Sequence, residues 1–120
     1  MRVLFALFVA LSLLGSAQAE EPVHFTDGNL KAAVEEVLWV SDPTPTDMLG
    51  LTSLNVTEKD IVDITGLEYA TNLQKLWIRW NHITDLSPLA GLVNLRMLDA
   101  HNNQNIDTVA TLHGYSHDIW

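Results

Sequence analysis

Leucine and isoleucine recur along the middle of this chain with a fixed 22-residue period. In the segment from Leu73 to Asn94, apolar residues stand at Leu73, Leu76, Ile78, Ile83, Leu86, Leu89 and Leu92. Twenty-two positions earlier they are matched by Leu51, Leu54, Val56, Ile61, Ile64 and Leu67; Asp63 matches Asp85 and Asn72 matches Asn94. Twenty-two positions later come Leu95, Leu98, Ala100 and Asn103. A fixed period of this length marks a solenoid, in which each unit buries its apolar face only against its neighbours. Within a unit, Leu76-Trp77-Ile78 alternates with period 2, so Leu76 and Ile78 point one way and Trp77 the other. Three short strands follow, near 53–56, 75–78 and 97–100. Leu54, Val56, Leu67, Leu73, Leu76, Ile78, Leu86, Leu89, Leu92, Leu95 and Leu98 form the expected core.

Asn81 falls where the chain must leave the strand. Its amide offers two donors and an acceptor, enough to satisfy backbone groups that a turn orphans. Asn103 stands one period on, so the two form a candidate ladder. Lys59 occupies the same position in the first unit and cannot accept a hydrogen bond. That unit tolerates the loss if a cap, rather than another repeat, covers its outer side. Ser87-Pro88 fixes φ and ends any helix before the return segment.

The pattern L-x-x-L-x-L-x-x-N-x-I-x-D-L-x-P-L-x-x-L-x-N resembles the short bacterial leucine-rich repeat of the internalins. The resemblance covers Leu51 to about Ile106 and implies a short right-handed α/β solenoid. Each unit then gives one strand to a parallel concave sheet and a 3₁₀ or extended segment to the convex side. Residues 20–50 resemble that family's helical N-terminal cap. Leu30, Ala33, Val34, Val37 and Leu38 have i, i+3, i+4, i+7, i+8 spacing and make one apolar helix face. Thr26 or Asp27 is the candidate N-cap. The Asp42-Pro-Thr-Pro45-Thr run breaks the helix, and Thr46 to Leu49 starts a second helical turn.

The repeats are read as 51–107, and 108–120 as a degenerate repeat or a tail. Ile106, Val109, Leu112 and Tyr115 match the preceding unit at an offset of 23, placing one inserted residue near Gln104-Asn105. With no cap pattern after it, this end leaves apolar side chains and strand groups uncovered. Self-association through the C-terminal edge is therefore an expectation. So is the alternative that the chain is a truncated structural piece of a longer array.

Residues 1–19 read as a secretory signal peptide. Arg2 is the positive start, Val3 to Leu14 the apolar stretch, and Ala17-Gln-Ala19 the small-residue cleavage site. The apolar run falls short of the ~20 residues that cross a bilayer. The expected location is secreted or cell envelope, with no membrane association after processing. The chain has no cysteine, so it holds no disulfide and relies on packing. Its formal net charge is −9, and losing the single positive charge of Arg2 makes it −10. That balance disfavours nucleic acid and anionic membranes as partners, since phosphate neutralisation needs clustered Lys and Arg.

Across the strands, outward residues align in columns: Ser53/Lys75/Met97, Asn55/Trp77/Asp99, Thr57/Arg79/His101 and Glu58/Trp80/Asn102. The middle unit gathers Trp77, Arg79 and Trp80, residue types enriched at binding hot spots. Lys75, Trp77, Arg79, Trp80, Asp99 and His101 are the candidate site for a protein or carbohydrate ligand. The structural alternative is that the strand merely favours aromatics, or that one indole folds over its neighbours. His113 and His117 have a spacing that suits metal only on a helix, which Gly114 weakens. No metal, cofactor or catalytic set is read from the chain. Asn55-Val-Thr57 fits a glycosylation acceptor and is read as coincidence within a strand. The Asp63/Asp85 pair recurs because the turn recurs.

Overall fold

A computed structural model describes residues 19–104 and 106. Helix α1 (Gly28–Leu38) and the short helix α2 (Pro45–Met48) precede three strands, β1 (Ser53–Asn55), β2 (Lys75–Trp77) and β3 (Met97–Asp99). The strands form one parallel sheet in the order β1-β2-β3. Its register pairs Leu54 with Leu76 and Leu76 with Leu98, a shift of 22 at each step. The strands are one residue shorter than the alternation predicts. Hydrogen bonding nevertheless continues past them, from Val56 N to Trp77 O at 2.8 Å and from Ile78 N to Asp99 O at 2.9 Å.

On the opposite side of each unit the chain returns through a 3₁₀ turn, η1 (Leu67–Tyr69) and η2 (Ser87–Leu89). Pro88 sits in the first turn of η2, where its missing N–H has no consequence. All eleven expected core residues are buried, together with Leu51, Ile61, Ile64 and Ile83. Ile106 packs partly buried against this core. Val109, Leu112, Tyr115, His113 and His117 lie outside the described residues, as does the signal segment up to residue 18.

The cap seals the first unit by side-chain chemistry as well as packing. Leu30 and Val34 of α1 are fully buried in the core. Asp27 is the N-cap: its Oδ1 accepts from Asn29 N and Leu30 N at 2.9 and 3.4 Å. Its Oδ2 reaches across to accept from Val62 N at 2.7 Å and Asp63 N at 3.4 Å. One carboxylate thus caps a helix and holds the first repeat turn. Phe25 stacks so close to Gly66 that a Cβ there would stand 2.5 Å from its ring. Gly66 also has φ +113°, which a side chain resists. The second unit has Pro88 at the equivalent position.

Two sequence expectations change here. Val37 is 47% exposed rather than packed on the apolar face, and Ala33 and Leu38 are only half-buried. Leu30 and Val34, one turn apart, therefore carry the buried face of this short helix. Pro45 does not precede the second helical turn but begins it. Thr44 N-caps α2 in a reciprocal capping box with Asp47, and a proline at the first helical position loses no hydrogen bond.

Candidate functional site

The geometry of the concave face starts with the turn that follows each strand. Asn81 is the single buried polar residue among those described. Its Oδ1 accepts from Lys59 N and Ile61 N, both at 3.0 Å. Its Nδ2 donates to Val56 O at 2.8 Å and to Ile78 O and Arg79 O at 3.0 Å. Asn103 repeats the arrangement one unit later, accepting from Ile83 N and donating to Ile78 O and Ala100 O. The ladder therefore works backwards, each amide stitching its own turn to the unit before it. Lys59 breaks the series because the unit before it is the cap, where Asp27 takes over.

A second ladder, without a role in the sequence expectations, runs along the return side of the units. Asn72 Nδ2 donates to Leu49 O and Asn94 Nδ2 to Thr71 O, both at 2.9 Å. Its sequence signal is the 22-residue spacing of Asn72 and Asn94. Asp63 and Asp85 accept from Thr65 N and Ser87 N at 2.7 and 2.8 Å, the local turn their recurrence suggested. The Ser87 hydrogen bonds hold the Asp85 carboxyl below the usual range.

On this frame Lys75 and Trp77 lie in β2, with Lys75 exposed and Trp77 half-buried. Arg79 and Trp80 follow, both exposed, Trp80 at 53%. Asp99 lies beside Trp77 in the neighbouring strand. Its carboxylate joins two of the other candidates: Arg79 Nε stands 3.5 Å from Oδ2 and His101 Nδ1 2.6 Å from Oδ1. Asp99, Arg79 and His101 are thus one polar cluster flanking the Trp77 strand position. The Asp99–His101 contact has a local counterpart in the first unit, where Asn55 Oδ1 accepts from Thr57 N and Thr57 Oγ1. In the middle unit Trp77 cannot act this way, and Arg79 turns to Asp99 of the next unit instead.

Trp80 differs from the column reading. Glu58, Trp80 and Asn102 have φ of 55°, 56° and 62°, so this column belongs to a left-handed turn after the strand. Asn adopts that conformation readily; a bulky Trp there is strained by ~1–2 kcal/mol. No residue pattern announces a left-handed φ when the occupant is tryptophan. The turn imposes this conformation on whichever residue stands there, Glu58 included, and in the middle unit it holds an exposed indole. His82 lies to one side, 3.6 Å from Asp60, with both side chains largely exposed. Among the described residues no group of three His, Asp or Glu side chains is placed to hold a metal.

A family model described as Leucine Rich repeats (2 copies) matches residues 71–112. Among curated proteins, leucine-rich repeat-containing protein 23 of Bos taurus is 34% identical over 82 residues, covering 55% of this chain and 24% of its own length. Among solved structures, internalin C2 of Listeria monocytogenes aligns with a TM-score of 0.67 and 30% identity, over 76% of this chain and 43% of its own. The CBM51-2 and INT domains of Clostridium perfringens ZmpB align with a TM-score of 0.61 and 32% identity, over 68% of this chain and 18% of theirs. The chain thus spans about a quarter of that curated relative and less than half of either structure. Residues 71–112 match leucine-rich repeats, and with its 22-residue units, parallel sheet and helical cap the chain is similar to the internalins.

Proposed function

We propose that this chain is a non-catalytic binding module that recognises a protein or glycan with its concave face. Trp77, Arg79 and Trp80 are the centre of the contact, with Lys75, Asp99 and His101 around them. The observation that carries this reading is the half-exposed Trp80, held in a strained left-handed turn beside the Arg79–Asp99–His101 cluster. Indole faces stack on sugars and on apolar peptide side chains, and Arg pairs with carboxylates. The Arg79–Asp99 contact also holds the guanidinium in place before a ligand arrives, which lowers the ordering cost of binding. A repeat family built to present surfaces supports the same reading. Replacing Trp77 by Ala and Trp80 by Asn tests it: binding is lost while the fold is kept.

The proposal includes export after removal of residues 1–19, on the strength of the apolar stretch and the Ala17-Gln-Ala19 site. Among the described residues no helix is long and apolar enough to cross a membrane. Mass spectrometry of the secreted protein tests the cleavage; an intact N-terminus contradicts it. A second reading is self-association through the C-terminal edge, favoured by β3 standing at the edge of the sheet among the described residues. Sedimentation tests it, since a cooperative monomer at high concentration excludes self-association.

A further inference from the structure

We propose that the outer end of helix α1 is a second binding site, for a basic segment of a protein partner that presents Lys or Arg to Trp39 and Glu36. Trp39 ends α1 with φ 57° and ψ 34°, left-handed, and is 93% exposed. A helix end of this type is ordinarily Gly or Asn, because a Cβ is unfavourable there. Trp39 gains no burial in return for that strain. It forms a shallow surface groove with Ala32, Glu35, Glu36, Val40 and Ser41. The indole, Ala32 and Val40 give the groove an apolar floor, and the two glutamates give it a negative rim.

The charge placement selects the occupant. The last turn of α1 has no basic residue, so Glu35 and Glu36 stand at the negative end of the helix dipole. Both choices, carboxylates at a helix C-terminus and tryptophan in a left-handed cap, weaken the helix locally. They fall on one exposed surface, where broken local rules point to function. Glu35 is partly committed, accepting from Asp42 N at 2.7 Å, and Asp42 is paired with Lys31. Glu36 has no such partner among the described residues. An ammonium or guanidinium group over the Trp39 face would meet three attractions together: the ring quadrupole, the Glu36 carboxylate and the helix C-terminus. An acidic segment would be repelled by the same three. This surface lies on the cap and is distinct from the concave patch, whose aromatic residues sit beside a guanidinium.

The test measures fluorescence anisotropy of a labelled peptide of alternating lysine and alanine titrated with the whole protein. Trp39→Gly removes the ring and relieves the strained backbone. Trp39→Leu removes the π face but keeps an apolar side chain, so it serves if the glycine variant alters the helix end. Glu36→Gln removes the free carboxylate, and Glu58→Gln removes an equal charge in the turn after β1. The site predicts affinity losses of about two- to fivefold for both Trp39 variants and a similar loss for Glu36→Gln, with Glu58→Gln nearly unchanged. Unchanged binding in the Trp39 variants overturns the proposal. Equal losses for Glu36→Gln and Glu58→Gln also overturn it, since the peptide would then be reading net charge alone.

Discussion

Replacing Asn81 by Ala should remove a large part of this domain's stability, and its hydrogen bonds give the size of the effect. Five backbone groups contact the amide, but not all are orphaned by its loss. Ile78 O keeps Asn103 Nδ2 at 2.8 Å. Arg79 O keeps Glu58 N at 3.0 Å. Lys59 is exposed, so water can reach its N–H. That leaves Ile61 N and Val56 O, both on fully buried residues. An orphaned buried group costs ~1–3 kcal/mol, so the pair costs about 4 kcal/mol. A domain of this kind has ~5–15 kcal/mol in all. Asn103→Ala orphans Ile83 N and Ala100 O, but its own bonds are only partly buried, and a cost of ~2 kcal/mol follows. The two asparagines share Ile78 O, so the double variant loses that carbonyl's last side-chain donor and exceeds the sum by ~1 kcal/mol. Urea unfolding of the three variants, followed by far-UV circular dichroism and tryptophan emission, measures all of this. An Asn81→Ala cost below ~1 kcal/mol, or a smaller cost than Asn103→Ala, refutes the reasoning.

Four further outcomes are expected. Leu76→Ala, at the fully buried centre of the sheet, costs ~2–5 kcal/mol in the same unfolding assay. Trp39→Gly and Trp80→Asn each stabilise by ~1 kcal/mol, read as a raised urea midpoint, because each relieves a left-handed bulky residue. Gly66→Ala destabilises by more than ~1 kcal/mol through φ and the Phe25 clash, visible as a lowered midpoint. Stability falls at acid pH through Asp27. Partial burial raises its pKa, but hydrogen bonds from Val62, Asn29, Asp63 and Leu30 outweigh this and leave it below 3.8. A depressed folded-state pKa contributes stability above the unfolded value and loses it as pH falls through the folded value. The loss therefore begins near pH 4, and Asp27→Asn flattens that part of the pH-stability curve.

The repeating part of this fold was legible because a solenoid writes its contacts into the sequence at one spacing. Leu54, Leu76 and Leu98 stack because they stand 22 apart, and Asn81 and Asn103 do the same. What happens once was harder to read. Asp27 bonding Val62, and Phe25 against Gly66, join segments more than thirty residues apart without any repeat to flag them. Val37 has ideal helical spacing, but spacing cannot tell how far round a helix its neighbours reach. At the candidate site, residue types and columns were legible for Trp77, Arg79, Asp99 and His101. The left-handed turn at Trp80 was not, because it is set by the geometry of leaving the strand rather than by the residue there.

The concave patch, as proposed, exists for binding and not for stability. One measurement separates the two: glycan and extracellular-protein arrays probed in parallel with the wild type and a Trp77→Ala/Trp80→Asn variant of intact circular dichroism. Each wild-type ligand is expected to be lost or weakened by about tenfold or more in the variant, as hot-spot removal implies. Ligands bound with unchanged affinity by the variant would contradict it.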